Sequence, residues 1–199
     1  MTAPVKLILG STSPFRRELL ERLRLPFETA APDVDETRLA DESASAYVQR
    51  LARLKAEAVA AGTPGDALVI GSDQCAVLGN AILGKPHTHE NAVAQLRACA
   101  GNSVVFHTGL CLLDTRTGAA AVEDVLFEVG FRELTETEIE TYLRLEQPYE
   151  CAGSFKSEAL GVALFDYLHG DDPSALIGLP LIRLLAMLRE AGVNPLAEH

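Results

Sequence analysis

No stretch of this sequence approaches the ~20 consecutive apolar residues that a membrane-spanning helix needs. The N-terminus has no basic region followed by an apolar core and a small-residue cleavage site, so a cytoplasmic location is expected. The four cysteines, Cys75, Cys99, Cys111 and Cys151, form no CxxC pair. That argues against a zinc cage and lends nothing to a disulfide framework. Basic residues are the scarcer charge, 17 against 28 acidic, for a formal net charge of −11. Such a surface disfavours broad binding to nucleic acid or to anionic membranes. Internal repeats, low-complexity tracts and long linkers are absent.

What remains is an ordinary globular composition, 48% hydrophobic and 23% charged. The chain of 199 residues suffices for one large domain or two lobes sharing a core. Residues 5–9 form a short buried-type strand, and residues 14–24 follow as a helix with Phe15, Leu19, Leu20 and Leu23 on one face. Residues 27–31 suit a second strand, and the acidic stretch with Asp33, Asp35 and Glu36 a loop. A longer helix is predicted over 45–61, closed by Gly62, Pro64 and Gly65. Another buried strand covers 67–71 and stops at Ser72-Asp73-Gln74, and 75–83 reads as a hairpin turning at Gly79-Asn80. Thr88 caps a helix to Cys99. Residues 104–113 and 121–131 are long strands, and Thr135 with Glu138 writes a capping box for a helix over 136–145. Pro180 opens a final helix with a stripe of Leu181, Leu184, Leu185 and Leu188. The expected class is α/β: a mixed central sheet flanked by helices, with two lobes around a cleft, in a single domain spanning residues 1–199.

Four constellations carry chemistry. In Gly10-Ser11-Thr12-Ser13-Pro14-Phe15-Arg16-Arg17 a buried strand ends in a hydroxyl-rich loop that enters a helix. Ser13 is a good N-cap and Pro14 a good first helical residue. Free N–H groups and the helix dipole favour an anion there, and arginine offers bidentate contacts to phosphate. Residues 1–24 hold five basic against two acidic side chains, a local positive patch on an acidic protein. The same letters also describe an ordinary capped helix, and this is not a Walker A loop. Asp73, next to the apolar run Leu68-Val69-Ile70, sits where a strand meets the edge of a cleft, and can hold a divalent ion or orient water. Asp33 and Asp35 read as solvated loop acids, and Cys75 either as a redox group or as a small buried side chain. Lys85, in the stiff Gly84-Lys85-Pro86 turn, and Lys55, on the 45–61 helix, are each equally readable as surface lysines. In Cys151-Ala152-Gly153-Ser154-Phe155-Lys156-Ser157-Glu158 an aromatic ring lies beside Lys and Glu, a pattern for reading a base or for an edge strand. His87 and His89 make a weak ligand pair without a third partner. His107, His169 and His199 read as structural or surface residues.

The order and spacing of these pieces resemble the Maf family of nucleotide pyrophosphatases over nearly the whole chain. The resemblance lies in Ser11-Thr12-Ser13-Pro14-Phe15-Arg16-Arg17, the acidic loop ending at Glu36, Ser72-Asp73-Gln74, Gly84-Lys85-Pro86 and Gly178-Leu179-Pro180-Leu181. Within the family, Phe15, Gln74 and Glu158 are similar to the branch that cleaves 7-methyl-GTP. The dTTP/UTP branch tends to carry arginine, threonine and glutamine at those positions. Ala159 departs from the branch, where glycine is more usual.

The resemblance implies an inosine-triphosphatase-like fold and hydrolysis of a nucleoside triphosphate to the monophosphate and pyrophosphate. It also implies a divalent cation (magnesium, manganese or cobalt) and a homodimer. It assigns Asp73 as proton acceptor and brings Ser13, Arg16, Glu36, Lys55 and Lys85 into the site beside Ser11, with Glu36 and Asp73 as candidate metal ligands. Phe15, Gln74 and Glu158 become specificity residues. Methylation at N7 makes guanine cationic, which suits an aromatic face at Phe15 and a carboxylate at Glu158 for the Watson–Crick N–H groups. Gln74 would add amide hydrogen bonds. The expected partner is a small nucleotide, with no nucleic acid and no membrane. The competing expectations are the same chemistry on GTP, UTP or dTTP, and a nucleotide-sensing regulator with weak catalysis.

Overall fold

A computed structural model describes residues 5–197; His199 lies outside the described residues. The strands are β1 (Lys6–Gly10), β2 (Glu28–Ala30), β3 (Ala67–Leu78), β4 (Ala81–Leu83), β5 (Ser103–Asp114), β6 (Ala120–Phe131) and β7 (Phe165–His169). The helices are α1 (Pro14–Glu21), α2 (Ala44–Ala61), α3 (His89–Cys99), α4 (Glu136–Glu146), α5 (Pro173–Ile177) and α6 (Leu181–Glu190). One sheet joins all the strands in the order β2-β1-β3-β5-β6-β7, with β4 paired to β3. Pairing is parallel between β1 and both β2 and β3, and antiparallel from β3 onward. This is the mixed α/β sheet flanked by helices that the early alternation and the later long strands predict. Among the described residues no helix is long and apolar enough to cross a membrane.

The long strands serve three apolar clusters. On one face, Ile8, Val69, Cys111 and Leu113 pack under Ala52, Ala56 and Val59 of α2. On the other, Leu7, Leu9, Leu68, Ile70, Leu110 and Leu112 meet α1 and α6 through Leu19, Leu20, Leu184 and Leu188. Beyond these, Phe106, Phe127, Val129 and Phe131 close a third cluster with Leu96 of α3, and Ile139 and Leu143 of α4. The cleft opens between the β1–α1 corner on one side and the β3–β4 hairpin with residues 150–158 on the other.

Local chemistry explains the helix ends. Ser13, Ser43, Thr88 and Thr135 each accept a backbone N–H from the first turn, and Thr135 and Glu138 complete the capping box. The first helix stops at Glu21 rather than Arg24, because Arg24 turns to a φ of 55° and breaks the helical path.

The largest departure from expectation is β3. It does not end at Gly71 but runs twelve residues to Leu78, with Asp73 opposite Gly109 and Gln74 opposite Thr108. Asp73 therefore sits inside a strand, not past its end. The run Gly71-Ser72-Asp73-Gln74 looks like a breaker, yet Ser72 and Gln74 find hydrogen-bond partners on one face and Asp73 an ion partner on the other. After residue 158 the chain forms β7, an exposed edge strand. The five-residue α5 has no counterpart in the sequence reading, although Asp172 before Pro173 and Gly178 after Ile177 are ordinary start and stop signals.

Candidate active site

The cleft, about 700 Å³, collects most of the sequence-predicted residues along one wall or another. Ser11, Ser13, Phe15, Arg16, Glu36, Lys55, Asp73, Gln74, Lys85 and Glu158 all line it.

At its deep end, Lys55 reaches from α2 to β3. Its ammonium is 2.6 Å from Asp73 Oδ1 and 2.7 Å from Glu36 Oε1. Lys55 and Asp73 are both buried, whereas Glu36 stands at the open side. A buried ammonium is tolerable only with charged partners, and here two carboxylates bracket it. Asp73 Oδ2 and Glu36 Oε2 have no partner among the described residues. That leaves two carboxylate oxygens facing a cleft, the donor set magnesium uses when substrate phosphates complete its shell. The residues therefore fit an open divalent site. Among the described residues no three His, Cys, Asp or Glu side chains gather into a closed metal cage.

Two glycines make this contact possible. A Cβ on Gly71 would overlap the Ala52 carbonyl oxygen and lie 2.9 Å from the Ala56 nitrogen, and one on Gly109 would overlap the Val48 carbonyl. The absence of side chains on β3 and β5 lets α2 lie against the sheet, which carries Lys55 to Asp73.

The acidic loop is tied to the same helix. Tyr47 donates to the Glu36 carbonyl at 3.0 Å, and Arg50 donates to both Glu42 oxygens at 2.6 and 2.8 Å and to the Thr37 carbonyl at 3.1 Å. Asp35 accepts from the Thr37 N–H at 2.9 Å and so turns the loop. The Arg50 hydrogen bonds hold the Glu42 carboxyl at about 2, below the usual 4.5. Because the folded value is depressed, the Glu42 contribution to stability is complete above pH ~4.5 and fades as the pH falls through about 2. Glu42→Gln is thus expected to lower the thermal midpoint at pH 7 and to match the parent near pH 2. A midpoint difference that persists unchanged across that range would remove the ion pair as the cause.

The β1–α1 corner forms the second wall. The Ser13 N–H donates to Ser11 Oγ at 3.1 Å, and Ser13 Oγ accepts from the Arg16 N–H at 3.4 Å. The N–H groups of Thr12 and Phe15 have no acceptor among the described residues, so they stand free at the helix N-terminus. Arg16 Nε donates to the Gly178 carbonyl at 2.8 Å, which leaves the two terminal nitrogens for the cleft. Burial pushes the Arg16 guanidinium down from its usual value, and the nearby Asp73 and Glu36 oppose that shift. The rest of the expected anion corner does not join the cleft. Lys6, on β1, pairs with Glu28 at 2.7 Å, and Arg17 pairs with Glu21 at 3.1 Å because successive helical residues point to different sides.

At the outer end, Phe15 is half-buried and Glu158 exposed, its carboxylate accepting weakly from Ser157 at 3.4 Å. Lys85 is exposed, 3.8 Å from Glu150. Three base-reading or ligand expectations change. Phe155 belongs to the core: it is 5% exposed and packs edge-to-face with Phe106, Phe131 and Phe165. Gln74 does not offer its amide donors to the cleft, because Nε2 donates to the Ala175 and Leu176 carbonyls and to Thr108. The histidine pair is divided, with His87 on Glu150 and His89 between Tyr149 and Glu140. Of the remaining histidines, His107 bonds Asp124 at 2.7 Å and His169 is exposed on β7. Cys75 is a buried thiol pushed up to about 12 by burial, with the Asp73 and Asp124 charges adding to the shift, far from the reactive thiolate range. Ala159 keeps a negative φ of −132°, so its side chain causes no left-handed strain where glycine is usual.

Residues 6–191 match the profile of the Maf-like protein family. The chain belongs to the Maf family. Its relatives are similar along almost their full length. A 7-methyl-GTP pyrophosphatase of Nitrosococcus oceani is 59% identical over 96% of this chain and 95% of its own. A protein of the same name from Thiobacillus denitrificans is 57% identical over 98% and 96%. One from Colwellia psychrerythraea is 53% identical over 97% and 96%. A solved HAM1 protein structure from Coxiella burnetii aligns with 94% of this chain and 99% of its own, at 15% identity and a TM-score of 0.49, a likeness too loose to bear on the site.

Proposed function

We propose that this Maf protein hydrolyses 7-methyl-GTP to 7-methyl-GMP and pyrophosphate. The observation that carries the reading is the Lys55 ammonium held between Asp73 and Glu36, facing the free N–H groups of the Ser11–Arg16 corner across one cleft. The relatives' names point to the same substrate.

In this reading the triphosphate lies along the corner. The Thr12 and Phe15 N–H groups, the Ser11 and Ser13 hydroxyls and the Arg16 terminal nitrogens meet its oxygens. Lys55 and Lys85 neutralise negative charge that builds on the phosphates in the transition state. Asp73 takes a proton from the attacking water, a bond forms between that oxygen and the α-phosphorus, and the α–β bridging bond breaks to release pyrophosphate. A divalent cation held by Glu36 and Asp73 would supply further charge stabilisation on the phosphate oxygens.

The base would sit between Phe15 and Glu158. An aromatic face and a carboxylate both favour the cationic ring of a 7-methylguanine. Glu158→Gln is expected to raise KM for 7-methyl-GTP roughly ten-fold and to leave that for GTP within about two-fold. Equal changes for both nucleotides would remove the charge argument.

The reading as a whole is tested by a panel of 7-methyl-GTP, GTP, UTP and dTTP with magnesium, manganese or cobalt, with products resolved by chromatography. The expected result is pyrophosphate and the monophosphate, with the highest kcat/KM for 7-methyl-GTP. Orthophosphate as the first product, or tight binding without turnover under every metal, would overturn it.

A further inference from the structure

The sheet face under α5 and α6 is lined by Leu68, Ile70, Leu110 and Leu112, and then changes character. The next positions along the same face are Ser72 and Gln74 on β3 and Thr108 on β5, with Ser72 and Thr108 fully buried. Polar side chains buried in such a place must find partners. All three find them at the C-terminal end of α5. Ser72 Oγ donates to the Gly178 carbonyl at 3.0 Å, Thr108 Oγ1 to the Ala175 carbonyl at 3.0 Å, and Gln74 Nε2 to the Ala175 carbonyl at 2.7 Å. In a helix of five residues the Ala175 carbonyl has only the Gly178 N–H, at 3.0 Å, and the Gly178 carbonyl has no backbone donor among the described residues, so the sheet side chains complete both.

Capping alone would explain Thr108 and Gln74. It does not explain why the Gly178 carbonyl is shared. That oxygen accepts from Ser72 on one side and from Arg16 Nε, at 2.8 Å, on the other. Gly178 holds a φ of 124°, which L side chains rarely adopt, and a Cβ there would lie 3.5 Å from Arg16 Nε. The glycine therefore delivers its carbonyl to Nε of the guanidinium, leaving the terminal nitrogens without a partner among the described residues. A guanidinium is a planar fork, so anchoring Nε orients its terminal nitrogens as well.

We propose that Ser72 is a positioning residue for the phosphate end of this site, acting through the Gly178 carbonyl to fix the plane of the Arg16 guanidinium. The proposal rests on the triphosphate reading of the cleft given above. Ser72 touches no substrate in this arrangement, and its effect travels through one hydrogen-bonded oxygen.

A double-mutant cycle separates positioning from general support of the fold. Ser72→Ala is measured in the parent chain and in an Arg16→Ala chain, by kcat/KM for 7-methyl-GTP and by calorimetric affinity for inorganic tripolyphosphate. With Arg16 present, Ser72→Ala is expected to lower kcat/KM by about 3- to 10-fold, the size of one net hydrogen bond. With Arg16→Ala, the loss is expected to shrink to less than about two-fold, because the group being aimed is gone. Equal losses in both backgrounds, or no loss with Arg16 present, would overturn the proposal. Ser72→Cys, close in size but a weak donor, runs the same cycle if the alanine chain fails to fold. A parent chain that binds tripolyphosphate but turns over no nucleotide would defeat the pyrophosphatase reading alone. The tripolyphosphate affinities would then decide the positioning role by the same additivity criterion.

Discussion

Asp73→Asn is expected to reduce kcat for 7-methyl-GTP by about 10²- to 10⁴-fold, the usual range for removal of a general base. The substitution keeps the shape of the side chain and its place on β3 opposite Gly109. It removes the proton acceptor and one of the two charges that hold Lys55. Lys55 retains Glu36 at 2.7 Å, so the ammonium is not left alone and the fold is expected to persist. Circular dichroism and the thermal midpoint check that point. KM is expected to change far less than kcat, since the phosphates are met mainly by the Ser11–Arg16 corner. Full turnover by the asparagine chain would eliminate Asp73 as the base. A loss confined to KM would instead make it a binding group.

The largest structural effect is expected at Gly71. Its missing Cβ leaves room for the Ala52 carbonyl, a backbone atom that cannot rotate aside. Gly71→Ala therefore forces α2 away from β3. Overpacking of this kind costs about 3 kcal/mol when the obstacle is backbone. For a domain of this size, that corresponds to a thermal midpoint lower by about 6–12 °C. The displacement also has a chemical consequence, because α2 carries Lys55 and its partner Asp73 lies two residues from Gly71 on the same face of β3. Activity is therefore expected to fall more than the fraction of unfolded protein accounts for at 25 °C. Gly62→Ala is the matched control, since a Cβ there would meet nothing closer than 3.9 Å. Equal midpoints for the two variants would refute the close approach of α2 as a requirement of the fold.

Both predictions depend on β3, where local reading and tertiary structure part company. The apolar run 67–71 is legible as a buried strand. The next residues are not, because Gly, Ser and Asp in succession carry every local mark of a turn. Strand continuation there is decided by partners far away in sequence: Lys55 for Asp73, Gly178 for Ser72, and Ala175 with Thr108 for Gln74. Phe155 teaches the same lesson in reverse. Beside Lys156 and Glu158 it looks like a base-reading ring, but three other phenylalanines enclose it.

By itself the sequence determined the capped helices, the alternation that produces a mixed α/β sheet, and the residues that carry charge chemistry. Capping, periodicity and residue type are properties of a few neighbouring positions, so they can be read locally. The tertiary structure decided which charges act together. It turned Lys6 and Arg17 outward to Glu28 and Glu21, kept Arg16 on the cleft through Gly178, and placed Lys55 between Asp73 and Glu36. Those choices follow from the approach of α2 to the sheet and the docking of α5 upon it. Both are contacts between segments far apart in the chain, set by packing and by the need to satisfy buried polar groups.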